Sequence, residues 1–438
     1  MRPVRRGARA VALGEYLRGA LWLLPGAAAA LALVAGSLLA RVRIAPDSVW
    51  HPLAFAGTAD DARQALITIA STVVTVIALV LGLTIVTLQL ASTQFSPRLL
   101  RNFLRDRPNQ VVLATFVATF AYSTAGLYTV RATGGADFPR LAVSGAIALI
   151  FLSLGMLVFF VHHIVHSIKI DTIMTSVAEV AGRAVRAYTP EGPGTDRTGP
   201  VPPPGALALA ATRSGYVQTV QPALLVEAAA GQDAVVAIVP RVGDHIVAGT
   251  APLALVWSRR GGPPADAPVL ARAVQHAVQI GTERTLQQDV MFGLRQLVDI
   301  ALRALSPAVN DPYTGVQTLD RLAVLVDALG RRTLGDDIRT DAAGVVRAVV
   351  AGPAFADYLD LACGQIRRYG AGEPAVCLAL LRLLTTAADS VTDPRRRAAV
   401  AGQARLVLAA AETRIAQPAD RSAVRELGAR LMTLQTSA

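Results

Sequence analysis

The chain has 438 residues, a formal net charge of +11 at pH 7, and 53% hydrophobic residues with a mean hydropathy of +0.45. An average this apolar excludes an ordinary secreted globular protein, and its concentration in the first 165 positions points to a membrane domain followed by a soluble part. The charge does not imply nucleic acid, because the arginines are spread over membrane-flanking loops and helical faces without interleaved aromatics; anionic lipid headgroups account for the excess.

Residues 1–19 are a basic N-terminus, with Arg2, Arg5, Arg6, Arg9 and Arg18 against Glu15. Four apolar segments follow, at residues 20–40, 66–90, 111–130 and 141–165, each near the roughly 20 residues with which a helix crosses a hydrocarbon core of about 30 Å. The first reads as a retained anchor, since it is long, contains Pro25 and reaches Arg41 without the small-residue cleavage site of a signal peptide. Loop charge sets the orientation. The second loop carries Arg98, Arg101, Arg105 and Arg107 against Asp106, while the first sets Arg41, Arg43 and Arg63 against Asp47, Asp60 and Asp61, and in the third Arg131 and Arg140 flank Asp137. The positive-inside bias predicts a multi-pass protein of the plasma (inner) membrane with both termini, the second loop and the whole C-terminal part in the cytoplasm. Only Cys363 and Cys377 occur there, so no disulfide framework is expected.

Beyond the fourth segment, residues 166–187 place Ile170, Ile173, Met174, Val177 and Val180 at helical spacing and predict an amphipathic connector helix. Residues 188–205 are rich in proline and glycine and predict a linker. Short β runs at residues 206–210, 215–220, 234–239 and 252–256, separated by Gly, Pro and Asp turns, define a small β module over 206–258. Its Gly215-Tyr216-Val217 and the turns within residues 241–253 resemble those of biotinyl/lipoyl-type barrel-sandwich domains. Carrier chemistry would need a lysine at a hairpin tip, and the only lysine of the chain is Lys169, so neither biotin nor lipoyl attachment is expected. The remainder, residues 269–434, predicts a helical domain with helices at 269–278, 285–305, 312–329, 340–350, 355–369, 373–388, 393–417 and 421–434.

The second apolar segment carries Thr68, Ser71, Thr72, Thr75, Gly82, Gln89, Ser92 and Thr93, mostly at three- and four-residue steps, which gathers small and polar groups on one helical face. Such a stripe must meet protein or water rather than lipid. It serves either close helix packing, where small residues let backbones approach, or a pore lining made by copies of this helix. No Asp, Glu, Lys or Arg lies inside a span, which argues against a proton-coupled carrier and leaves a channel open.

Directly after the stripe comes QLASTQFSPR at residues 89–98; His162 and His163 close the fourth segment, and GTERTLQQD at 281–289 and ALSPAVNDPYTG at 304–315 follow in the soluble part. On these motifs the chain resembles, over essentially its whole length, the bacterial predicted membrane proteins grouped as domain of unknown function 2254. That resemblance implies a topology and brings no established activity.

His162 and His166 lie four residues apart on one helical face, a spacing that zinc or nickel ligands use, but no cysteine or carboxylate accompanies them at ligand spacing, so no metal is expected. After Glu283, Arg284 and Asp289, the residues Arg295, Asp299 and Arg303 form an i,i+4 ladder, read either as a salt-bridge network or as a subunit interface or regulatory ion site. Ser306 and Pro307 end that helix, Asn310 suits a left-handed or capping geometry, and Asp311 with Pro312 supplies an N-cap and first helical residue for the next. His245 and His276 belong to no recognisable triad, and there is no phosphate-binding Gly-Lys-Ser loop, metalloprotease pair or kinase set, so the chain does not read as an enzyme and needs no cofactor.

The expected architecture is a membrane α-helical domain of four transmembrane helices, an amphipathic connector, a small β-sandwich-like module and a helical cytoplasmic domain, together an α+β soluble part. The expected function is a homo-oligomeric ion channel, with the lipid bilayer, further copies of itself and a small ion as partners. A non-conducting membrane-anchored sensor or scaffold is the alternative, and a membrane-bound enzyme the third reading.

Overall fold

The computed structural model of the full chain describes residues 22–39, 41, 54–94, 107–132, 138–167 and 169–436. The basic N-terminus, residues 20 and 21 of the first apolar segment, Arg98, Arg101 and Arg105 of the second loop, and the end of the 89–98 motif lie outside the described residues. The chain divides into two compact units, Met1–Thr172 and Ile173–Ala438.

The first unit holds α1 (Leu23–Leu39), α2 (Ala59–Gln94), α3 (Arg107–Ala132) and α4 (Arg140–Ser167). Thr58 and Asp61 start α2 with a reciprocal capping box: the Thr58 N–H donates to Asp61 Oδ2 at 2.9 Å and the Asp61 N–H to Thr58 Oγ1 at 3.2 Å. The core comes from Leu66, Val73 and Val80 of α2, Val112 and Phe116 of α3, and Val143, Ala146 and Phe160 of α4. Between α3 and α4, Thr119 Oγ1 and Ser153 Oγ share a buried hydrogen bond of 2.9 Å, the kind of interhelical polar contact that apolar surroundings favour. The backbones of α1 and α3 approach closely at Gly36. A Cβ added at Gly36 would stand 3.1 Å from Ala125 Cβ and 3.3 Å from the Tyr122 carbonyl.

Three helices are long and apolar enough to cross a membrane, over Ala59–Gln89, Arg107–Val130 and Arg140–His166. The expectation of four is met by three among the described residues: α1 is apolar but has 17 residues, and at 1.5 Å per residue reaches about 26 Å, less than a full crossing.

The second unit opens with α5 (Ile170–Tyr188), whose Met174, Val177, Ala181, Ala184 and Val185 form one buried face. From residue 189 the chain does not run free, as a linker would. Its β1 (Asp196–Arg197) pairs in parallel with the later β8 (Leu334–Gly335), the Thr333 N–H donates to the Pro190 carbonyl at 3.1 Å, and the Gly199 N–H donates to Asp336 at 2.8 Å. Proline and glycine keep this segment out of helices and sheet interiors but leave it able to serve as an extended edge.

The strands β2 (Leu207–Ala210), β3 (Gly215–Val220), β4 (Ala234–Ile238) and β6 (Pro252–Ser258) follow the four expected runs, and the structure adds the short β5 (His245–Ile246) and helix α6 (Pro222–Gly231) between β3 and β4. The module does not close at residue 258. After α7 (Ala267–Ala277), β7 (Val278–Gly281) joins a three-stranded sheet of order β5-β3-β7, while β9 (Asp337–Thr340) and β10 (Val346–Val350) complete a five-stranded sheet of order β2-β6-β4-β10-β9. Both sheets, α6 and α7 share one core, with Val217 and Ile280 from the small sheet, Val236 and Val256 from the large one, Leu225 from α6 and Leu270 from α7. In place of a barrel-sandwich built from hairpins, β4 and β10 pair in parallel, which requires a long crossover.

The helix expected at 340–350 is a strand hairpin. Asp341 Oδ1 accepts from the Ala343 and Val345 N–H groups at 2.9 and 3.0 Å, Gly344 adopts φ +76°, and β-branched Val345, Val346, Val349 and Val350 suit a pleated surface better than a helix. The helical layer comprises α8 (Val290–Ala304), α9 (Pro312–Gly330), α10 (Phe355–Gly370), α11 (Pro374–Ser390), α12 (Pro394–Arg414) and α13 (Pro418–Thr436). One side chain ties these parts together. Arg396 on α12 is 1% exposed and donates to Asp196 of β1 (3.1 and 2.5 Å) and to the carbonyls of Gly330 and Arg332 (3.0 Å each), with its guanidinium 5.2 Å from the Phe355 ring centre.

Candidate functional site

The polar stripe of α2 faces away from its own unit. Ala62, Leu66, Ile69, Val73 and Val80 are buried, whereas Thr68, Ser71, Thr72, Thr75, Gly82 and Gln89 are exposed. With roughly 100° of rotation per residue the two sets fall on opposite sides of the helix, and exposed Gln64 extends the outer set by a turn. Two of the hydroxyls bond to their own helix: Ser71 donates to the Thr68 carbonyl at 3.0 Å and Thr75 to the Ser71 carbonyl at 3.1 Å. A Cβ added at Gly82 would meet nothing within 4 Å, so among the described residues no helix packs closely against the stripe there. The side chain of Thr93 lies outside the described residues.

His162 and His166 do come together at the end of α4, with ring centres 4.1 Å apart and His166 Nδ1 2.9 Å from the His162 carbonyl oxygen. Among the described residues no group of three metal-ligating side chains forms, so the pair could supply two ligands at most.

The signature over residues 281–315 builds two joints. Asp289 caps α8 by accepting from the Phe292 N–H at 2.9 Å, and takes a bidentate pair of bonds from Arg284 at 2.8 and 2.9 Å. Burial pushes the Asp289 carboxyl up, against the pull of Arg284. Gly243, at φ +96°, presses on this pair from the β5 side, and an added Cβ would lie 2.8 Å from Arg284 Nη2. The carbonyl of Glu283 accepts from Gln218 Nε2 at 2.8 Å, tying the same segment to β3. The ladder expected on α8 is bent toward a neighbour: Arg295 bonds Asp299 at 2.7 Å and also Gln365 of α10 at 2.8 Å, while Arg303 accepts through its carbonyl from Ser306.

At the second joint, which follows Pro307, Asn310 adopts φ +50° and its N–H donates to the Ser306 carbonyl at 2.8 Å. Asp311 accepts from the Thr314 N–H at 3.1 Å and its hydroxyl at 2.6 Å, which hold the carboxyl below the usual range, with Pro312 as first helical residue. Asp311→Ala is expected to lower stability by about 1 kcal/mol. A thermal melt of the full chain unchanged by this substitution would remove the capping role.

Sequence reading missed a cleft in the second unit. Its volume is about 640 Å³, and it opens between the C-terminal end of α5, β1, the start of α8, the β8–β9 segment and the end of β10. Four arginines line it, Arg186, Arg197, Arg332 and Arg339, together with Tyr188 and Tyr358. The acidic groups on its wall are engaged locally, Asp337 by Arg339 at 2.8 Å and Asp336 by the N–H groups of Gly199 and Gly352 at 2.8 and 3.3 Å. The signature reaches it only through Gln288 and Asp289. The basic residues stand on segments far apart in sequence, so no local motif announces the site.

A family description reading "predicted membrane protein", domain of unknown function 2254, matches residues 18–386. The chain is 47% identical over 430 residues to uncharacterized proteins of Mycobacterium tuberculosis and Mycobacterium bovis, covering 96% of this chain and 82% of each relative. No solved structure matches it.

Proposed function

The chain belongs to this family of predicted membrane proteins, and on that premise we propose that it is a multi-pass plasma-membrane channel. In this reading several copies assemble with the outer face of α2 toward a common axis. The N-terminus, the second loop and the soluble unit lie in the cytoplasm, where the soluble unit assembles or gates the pore. The first apolar segment, residues 20–40 of the sequence, supplies the fourth span. The reading is a non-enzymatic one, with Arg284 and Asp289 engaged with each other and with a helix cap.

The observation that carries the proposal is the stripe opposite the buried face of α2. A row of hydroxyls and an amide facing hydrocarbon would be poorly solvated, while a second copy or a water column accommodates it. Two of its hydroxyls bond backward to carbonyls, which also suits dry contact between copies, and a non-conducting scaffold is therefore the second reading.

Cysteine cross-linking in native membranes tests the assembly. Ser71→Cys and Thr75→Cys are expected to give disulfide-linked dimers under mild oxidation, and Val73→Cys, on the buried face, none. The native thiols stay silent because burial raises Cys363 to about 12 and Cys377 to about 11. Absence of dimers at both stripe positions, or equal yield at Val73→Cys, would refute it.

A further inference from the structure

We propose that the cleft of the second unit binds a soluble organic phosphate. Its volume of about 640 Å³ falls within the range of small-molecule sites. Charge decides the class of ligand. Asp289, Asp336 and Asp337 are each held by a protein donor, whereas among the described residues Arg186 and Arg197 make no ion pair and are exposed at the cleft wall. Arg332 is oriented by the Thr189 carbonyl, and its one carboxylate neighbour among the described residues, Glu191, is 3.4 Å away and 91% exposed. The wall therefore carries unneutralised guanidinium groups, the side chains best suited to phosphate oxygens.

A second, independent feature is Tyr358. It is 3% exposed and lines the cleft, where its phenol is placed to donate to a ligand oxygen. Between these polar groups the wall is apolar, with Val220, Val242, Val290, Met291 and Leu334, which fits an organic body rather than a bare ion.

The site depends on residues of the soluble unit alone and does not rest on the channel reading. Its test is direct titration of the full-length protein in detergent with inorganic phosphate, pyrophosphate, glucose 6-phosphate and ADP. At least one organic phosphate is expected to bind saturably and more tightly than inorganic phosphate. Arg186→Gln and Arg197→Gln, both at exposed positions, are each expected to weaken it by about tenfold or more, the loss of one charge-assisted contact, while the exposed Arg272→Gln outside the cleft leaves it unchanged. Tyr358→Phe is expected to weaken binding by about fivefold with an unshifted melting temperature in the absence of ligand. Repeating the titration in nanodiscs with and without phosphatidic acid separates a soluble phosphate from a lipid headgroup: the same affinity is expected in both. No saturable binding by the parent, binding that survives both arginine substitutions, or displacement by phosphatidic acid would overturn the proposal.

Discussion

Replacing Arg396 by methionine is expected to destabilise the second unit by about 2–3 kcal/mol, the scale of losing charged hydrogen bonds to groups that are wholly or partly buried. The substitution keeps much of the side-chain volume and deletes donors to Asp196, Gly330 and Arg332. Among the described residues Asp196 would keep the Phe355 N–H at 3.3 Å alone, and one buried and one partly buried carbonyl would lose a charged partner. Because Asp196 belongs to β1, the loss should also loosen residues 189–205 from β8 and open them to proteolysis, and it should weaken ligand binding in the cleft whose wall contains Arg197 and Arg332. Arg396→Lys keeps the charge but cannot span three partners with a planar fork, so it should fall between the parent and the methionine variant. A thermal melt within about 1 kcal/mol of the parent and an unchanged proteolysis pattern at 189–205 would show that Arg396 does not fasten the segment.

That residue also shows where sequence reading ends. Spans, connector and most β runs could be read because each signal is local: an apolar run of given length, a 3.6-residue period, a turn residue between β-branched stretches. Asp311 with Pro312 declared its cap in adjacent positions, and the structure places the cap there. Arg396 and Asp196 are separated by 200 positions, so a proline- and glycine-rich stretch with nothing periodic in it carries no local sign of the partner that fastens it. The same holds for β10, which enters a sheet beside β4 more than a hundred positions earlier, and for the cleft, assembled from arginines that no spacing relates. The α2 stripe was legible as a stripe from its three- and four-residue steps. Which way it faced was not, because that depends on which side of the helix the neighbouring spans choose to bury.

The direction of that stripe leads to the second large effect. If Thr68, Ser71, Thr75, Gly82 and Gln89 surround an axis, a branched apolar side chain at mid-helix should narrow and dewet it. Thr75→Leu adds bulk and removes a hydroxyl that could face water or an ion. Thr75→Ser keeps the hydroxyl and should conduct. Because Thr75 is exposed and bonds only to its own helix, at the Ser71 carbonyl, neither change should disturb folding of the single chain. The deciding measurement is ion flux from proteoliposomes containing the purified full-length protein, with oligomer size recorded on the same preparations. The channel account predicts flux through the parent and Thr75→Ser, and loss of at least about tenfold in Thr75→Leu, a barrier of about 1.4 kcal/mol or more, at unchanged oligomer size. A silent parent protein, or undiminished flux through Thr75→Leu, would contradict it and leave the stripe as a seam between copies of a scaffold.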